Sequence, residues 1–278
     1  MPILQNYAVN TITYLQNMVK RLTAAGIERG VMLGLDVYSM DPTFNVDMMH
    51  NNLHYAKYYF TQHDIDLLIF GGYDPTRPLP EGVSPAEALD NLFDQFDGLK
   101  IYPKLWNLTT HECVDVFRMI AKSACKAGKP VTMHCSGGGV GDHVENINPG
   151  LWWDVFNRFP GLNLIFAHGG GGFDSKRYHT IKFMRKEGFK ASLETSFHSA
   201  AYHDKDHYFN RLREELDDPF MCDGIGWASD DFLQQAYKPY GFVPKLYRDE
   251  LGECLWERMS KINSTAILFD GVQDVAQI

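Results

Sequence analysis

Seven short, largely apolar runs punctuate this chain, centred near residues 31, 66, 100, 131, 164, 192 and 225, and amphipathic stretches separate them. Runs that stay apolar over four or more positions suit strands covered on both faces, whereas the stretches between repeat every three or four positions, as helices do. The first helix is expected over residues 7–25, where Ile12, Leu15, Val19 and Leu22 share one face and Gly26 can stop it. A strand over 30–36 follows, then a helix over 46–62 and a strand over 65–70 that leaves through a Gly71-Gly72-Tyr73-Asp74-Pro75 loop. Ser84-Pro85 opens another helix, with serine as cap and proline at its favoured first position. Thr110 begins the next, and Gly128 ends it. Further helices are expected over 151–159, 178–186, 208–216 and 244–261, with a last short one over 263–269.

Strict alternation of helices with buried parallel strands leaves a closed barrel or an open doubly wound sheet. An open sheet gathers its ligands at one switch point, whereas a barrel uses the C-terminal ends of many strands. Three strands here end in a chemically competent side chain. Pro130-Val131-Thr132-Met133 runs into His134, Leu164-Ile165-Phe166-Ala167 into His168, and Ile225-Gly226-Trp227-Ala228-Ser229 into Asp230. The expectation is therefore an α/β fold of the TIM-type (β/α)8 kind, one domain over residues 1–278. Such a barrel needs eight strands, and this chain opens in a helix, so the first strand is expected to be absent or atypical.

Neutral imidazole and carboxylate are what a catalytic zinc takes when it keeps one position open to water. One strand-end histidine is usually a satisfied polar residue; three equivalent ends, two of them followed by glycine clusters, point to a site. His134, His168 and Asp230 are the candidate metal ligands, and Asp230 and His168 the candidate catalytic groups. Gly137-Gly138-Gly139-Val140-Gly141 and residues 169–172 match neither the dinucleotide nor the P-loop pattern. Their expected use is backbone with positive φ at the barrel mouth.

With these residues in view, the chain resembles the metal-dependent amidohydrolases of TIM-barrel fold. The nearer resemblance is to the branch of aminocarboxymuconate-semialdehyde decarboxylase and related decarboxylases and hydrolases. Gly98-Leu99-Lys100-Ile101-Tyr102-Pro103, the run into His134, Arg158-Phe159-Pro160-Gly161-Leu162 leading to His168, Ala228-Ser229-Asp230 and Asn263-Ser264-Thr265-Ala266-Ile267-Leu268-Phe269 carry it, over roughly residues 65–270. The resemblance implies that His134 is the fifth-strand metal ligand. It implies that His168 polarises substrate or moves a proton, and that Asp230 binds metal or activates water. Lys100 stands where some relatives carry a metal-bridging carboxylated lysine; a lysine that orients its loop is an equal alternative. The family's first-strand His-x-His is missing. His50 and His54 have zinc-compatible spacing but fall on a helix, where an exposed face is the better expectation.

Loop position adds substrate-binding candidates. Arg77 could pair a substrate carboxylate bidentately, or be an ordinary surface arginine. Trp106, Phe173 and Trp227, with Trp152, Phe197 and Phe232, could wall a pocket for a ring, or simply be core. His143, His198 and Asp231 read as plain loop residues. The net charge of −9 gives nucleic acid or an anionic membrane little to hold, and no apolar stretch approaches a membrane span. Five scattered cysteines without a CxxC pair, and no signal-peptide pattern, suit a reducing cytoplasm. Cys135 is expected to be a small buried residue rather than a nucleophile.

The sequence thus predicts a hydrolase or non-oxidative decarboxylase for a small carboxylate-bearing, aromatic or cyclic substrate. Its cofactor would be a divalent metal, zinc ahead of manganese, or none if Asp230 activates water alone. Loss of the first strand leaves two alternatives: a degenerate barrel serving as a ligand-binding or assembly subunit, and a barrel edge that a second copy of the chain covers in a homo-oligomer.

Overall fold

The computed structural model describes residues 11–196, 204–228 and 242–269. Strands β1 (Arg29–Leu33), β2 (Asp66–Tyr73), β3 (Gly98–Ile101), β4 (Val131–Met133), β5 (Leu164–Phe166), β6 (Ala191–Glu194) and β7 (Ile225–Gly226) pair in chain order, all parallel. Helix α1 (Thr11–Ala24) precedes them; α2 (Val46–Thr61), α3 (Pro85–Gln95), α4 (Thr110–Ala127), α5 (Trp153–Arg158), α6 (Lys176–Lys186) and α7 (Lys205–Asp217) connect them. After β7 come α8 (Phe242–Leu251), α9 (Glu253–Glu257) and α10 (Ser264–Phe269). Among the described residues β1 pairs only with β2 and β7 only with β6, so the sheet is an incomplete (β/α) barrel of seven strands. No helix among the described residues is long and apolar enough to cross a membrane.

Local chemistry explains the helix starts. The Ser84 side chain accepts from the Glu87 N–H, with Pro85 at the first helical position. Thr109 and Glu112 form a reciprocal capping box for α4, and Gly128 closes that helix at φ +66°. Most boundaries fall within three residues of the sequence pattern, β1 ending at Leu33 instead of residue 36, and two differences have a visible counterpart in the structure. β2 runs on through Gly71 and Gly72 instead of ending at residue 70, and the segment after β1 passes so close that a Cβ on Gly72 would lie 2.4 Å from the Asp36 nitrogen. The helix expected over 244–261 is divided at Gly252, which sits at φ +76°.

Strands β3, β4 and β5 are buried along their whole length. They form the centre of the larger core, where Phe117 stacks on Trp152 at 4.3 Å between ring centroids. A second cluster joins Leu15 and Val19 of α1 to Phe60, Leu67 and Ile69. His50 and His54 pack their rings on Phe96, at 4.6 and 4.9 Å.

Candidate active site

The β4 and β5 chains leave the sheet at the same end, and His134 and His168 follow their last paired residues, Met133 and Phe166, by one and two positions. That geometry places His134 and His168 side by side. His134 Nδ1 lies 3.0 Å from His168 Nε2, and the rings meet edge-on at 4.7 Å. His134 is 7% exposed. Its ring stacks on Tyr102 at 3.8 Å, and its Nε2 lies 3.0 Å from the Ser136 carbonyl. His168 has φ +60°, and Gly169 and Gly170 continue the left-handed path at +56° and +64°. A non-glycine residue held there carries strain of about 1–3 kcal/mol, a feature that concentrates at functional sites.

A chain of hydrogen bonds fixes the His168 proton. Glu194, the last residue of β6, accepts from the Ser196 hydroxyl at 2.8 Å and from the His168 backbone N–H at 3.1 Å. With its proton given to Glu194, the Ser196 oxygen can only accept from His168 Nδ1, 2.9 Å away. The neutral ring then has its lone pair on Nε2, facing His134. If His134 donates from Nε2 to the Ser136 carbonyl, two nitrogen lone pairs converge at 3.0 Å. Two ligands about 2.0–2.1 Å from a tetrahedral zinc lie about 3.3–3.4 Å apart. At 3.0 Å the pair lies roughly 0.3 Å closer than two neighbouring corners of such a site. Among the described residues no third His, Cys, Asp or Glu joins them; Asp230, the third expected ligand, lies outside those residues.

Burial sets the electrostatics of His134, and the groups around it add to the effect. Burial first, then His168, Lys100 and Lys104, push the His134 imidazole down to about 2. Lys104, itself 3% exposed, donates its ammonium protons to the carbonyls of Gly137, Gly138 and Gly139 at 2.9, 3.1 and 3.3 Å. It thereby fixes the loop that folds over the Tyr102–His134 stack, where a Cβ on Gly139 would lie 2.7 Å from the Tyr102 hydroxyl. Cys135 is fully buried and its thiol is pushed up to about 12 by burial, so it is no nucleophile.

The neutral state of His134 has a consequence for stability. The unfolded chain takes up this proton below about pH 6.5, while the folded chain resists until about 2. Stability from this group is complete above the unfolded value and falls as pH drops, by roughly 1.4 kcal/mol per pH unit. In chelator, the wild-type urea midpoint should fall between pH 7 and pH 5 by an amount equivalent to about 2 kcal/mol more than in His134→Gln. Equal slopes in the two proteins would contradict this.

The remaining candidates are dispersed. Arg77 gives its fork to Asp36, with Nε 2.8 Å and Nη2 2.6 Å from the two carboxylate oxygens, and lies over the Tyr38 ring at 4.7 Å. Lys100 is buried in β3, close enough to His134 for its charge to be felt. Trp106 is wholly inside the core beside Phe117, and Phe173 packs between Tyr178 and Tyr208, so neither ring offers a face to a substrate in this conformation. Trp227 is half-buried and meets Trp256 edge-on at 5.3 Å. Phe197, His198, Asp231 and Phe232 lie outside the described residues. Sequence reasoning overlooked Glu194, Ser196, Tyr102 and Lys104. Glu194 is an acid at a strand end, the same signal that marked Asp230; the others carry no signal before the loops are folded.

Solved structures share this architecture. A protein assigned as 2-pyrone-4,6-dicarboxylic acid hydrolase, from Pseudomonas putida, superposes with a TM-score of 0.62 at 14% identity, covering 91% of this chain and 86% of that one. The 4-oxalomesaconate hydratase of Rhodopseudomonas palustris gives 0.59 at 15%, covering 91% and 80%. The dihydroorotase of Campylobacter jejuni gives 0.52 at 13%, covering 87% and 82%. No curated protein matches the sequence. Residues 70–214, just over half of the chain and the part that supplies both histidines and the Glu194–Ser196 pair, match the amidohydrolase family. The chain belongs to the amidohydrolase family.

Proposed function

We propose that this chain is an enzyme that hydrolyses or decarboxylates a small carboxylate-bearing substrate built on a ring, at the paired imidazoles of His134 and His168. The observation that carries the reading is the 3.0 Å approach of two imidazole nitrogens delivered by separate strand ends. The family supports the reaction class, and the similarity in fold to a protein assigned to a ring dicarboxylic acid supports the substrate class.

A divalent cation, zinc ahead of manganese, would be held by His134 with either His168 or Asp230, the other being left to move the proton, and when bound would supply the polarisation that both reactions need. The protein's own residues prepare that chemistry. Burial keeps His134 neutral near pH 7, the state in which imidazole can act as a ligand. Tyr102 holds the plane of that ring. Glu194 and Ser196 keep the His168 proton on Nδ1, so that Nε2 is the basic atom. Asp230 or His168 would transfer the proton, from water in hydrolysis or to a ring carbon in decarboxylation. Both routes use one acid–base pair, and substrate fit selects between them.

The test is turnover of a panel of ring lactones and aromatic or heterocyclic carboxylic acids, including 2-pyrone-4,6-dicarboxylate, followed by ultraviolet absorbance and by release of carbon dioxide. Turnover of at least one member is expected, and inactivity of the folded protein toward the whole panel would contradict the reading.

A further inference from the structure

We propose that Arg177 forms a carboxylate-binding subsite between the two loops that carry the reactive histidines; the inference rests on the reading of His134 and His168 as the reaction centre. Ser175 caps α6, accepting from the Tyr178 N–H at 3.0 Å and donating to the Gly170 carbonyl at 2.8 Å, so the start of α6 is tied to the loop after β5. Arg177, the second residue of that helix, is half-buried and lays its guanidinium along both loops. Its Nη2 lies 2.8 Å from where a Cβ would stand on Gly137 and 3.5 Å from the equivalent point on Gly171. Gly137 is three residues beyond His134, and Gly171 three beyond His168.

This guanidinium lacks what other arginines of the chain have. Arg77, Arg118, Arg185 and Arg211 each meet a carboxylate. Arg177 meets none among the described residues, and its Nε–H is shut off from solvent with no hydrogen-bond acceptor. A buried donor left unmade costs about 1–3 kcal/mol, and more on a charged group, so the missing acceptor is expected from outside the chain. The planar fork matches the two oxygens of a carboxylate. A side chain at 137 or 171 would crowd that fork. Arg77, the arginine that the sequence brings forward for this task, has its own fork closed by Asp36.

The probe is isophthalate, a ring dicarboxylate, titrated calorimetrically into the purified protein, with neutral isophthalamide as control. Isophthalate is expected to bind wild type, to bind Arg177→Met at least tenfold more weakly, and to recover in part with Arg177→Lys. Gly137→Ala, which places a methyl against the guanidinium, should weaken it as well. Because Arg177 has no partner to lose among the described residues, the thermal midpoint of Arg177→Met should be no lower than that of wild type. Equal isophthalate affinity in Arg177→Met, no binding to wild type, or unfolding of the variant would each overturn the subsite. Loss of isophthalate binding in Arg177→Met with turnover indifferent to His168→Ala would instead uphold the subsite and remove the reaction centre on which it was placed.

Discussion

Replacing His168 with alanine is expected to lower turnover by roughly 10²–10⁴-fold, the range for loss of a positioned acid–base group. The size follows from three roles that end together. The ring supplies the Nε2 lone pair beside His134, the Nδ1 proton held by Ser196, and half of the only imidazole pair at this end of the sheet among the described residues. Ser196→Ala should cost less. It removes the acceptor that fixes the tautomer yet keeps the ring and the Ser196 carbonyl, which lies 3.3 Å from Nδ1. The expected order of kcat is therefore wild type, then Ser196→Ala, then His168→Ala, in a steady-state assay on whichever ring carboxylate is turned over. His168→Ala at wild-type kcat would remove the paired imidazoles from the chemistry.

Arg77→Met is expected to destabilise the fold by about 3 kcal/mol, the scale for breaking a buried ion pair from one side. Asp36 is 4% exposed, so loss of the guanidinium strands a carboxylate away from water with the Tyr38 N–H, 3.1 Å away, as its remaining donor among the described residues. The same arginine also donates to the Phe44 carbonyl at 3.2 Å, tying the end of β2 to the segment after β1. With a urea dependence of about 3 kcal/mol per molar, the midpoint should fall by about 1 M. Arg77→Met combined with Asp36→Asn should recover most of the loss, because no uncompensated charge remains. An unchanged midpoint in Arg77→Met, with weakened carboxylate affinity, would instead return this residue to the substrate.

The strands were legible because parallel strands buried on both faces need mostly apolar residues, and β5 satisfies that without interruption and β4 at every position but Thr132. Ser84, Gly128 and the glycine clusters were legible for local reasons: a cap or a left-handed turn needs particular residue types wherever it falls. The pairing of His134 with His168 was legible only as a consequence of parallel strands ending on one side. Long-range contacts left no such trace. Gly71 and Gly72 looked like a loop because what makes them glycine is distant in the chain: the Phe96 ring crowds Gly71, and the Leu35–Asp36 backbone crowds Gly72. Trp106 and Phe173 could be read equally as pocket walls or as core, because a loop position does not say which way a side chain turns; both turn into the core. Arg177 was invisible because nothing in its sequence neighbours reveals that a carboxylate is missing.

The most direct test of the paired-imidazole centre is the metal content of the purified protein by plasma emission spectrometry, beside that of His134→Gln. About one zinc or manganese per chain is expected in the wild type, as a single catalytic site requires, with loss of that ion in the variant and of turnover in chelator. A folded wild type that takes up no divalent ion, and whose turnover is the same in chelator as without it, would contradict a cation held between these two histidines.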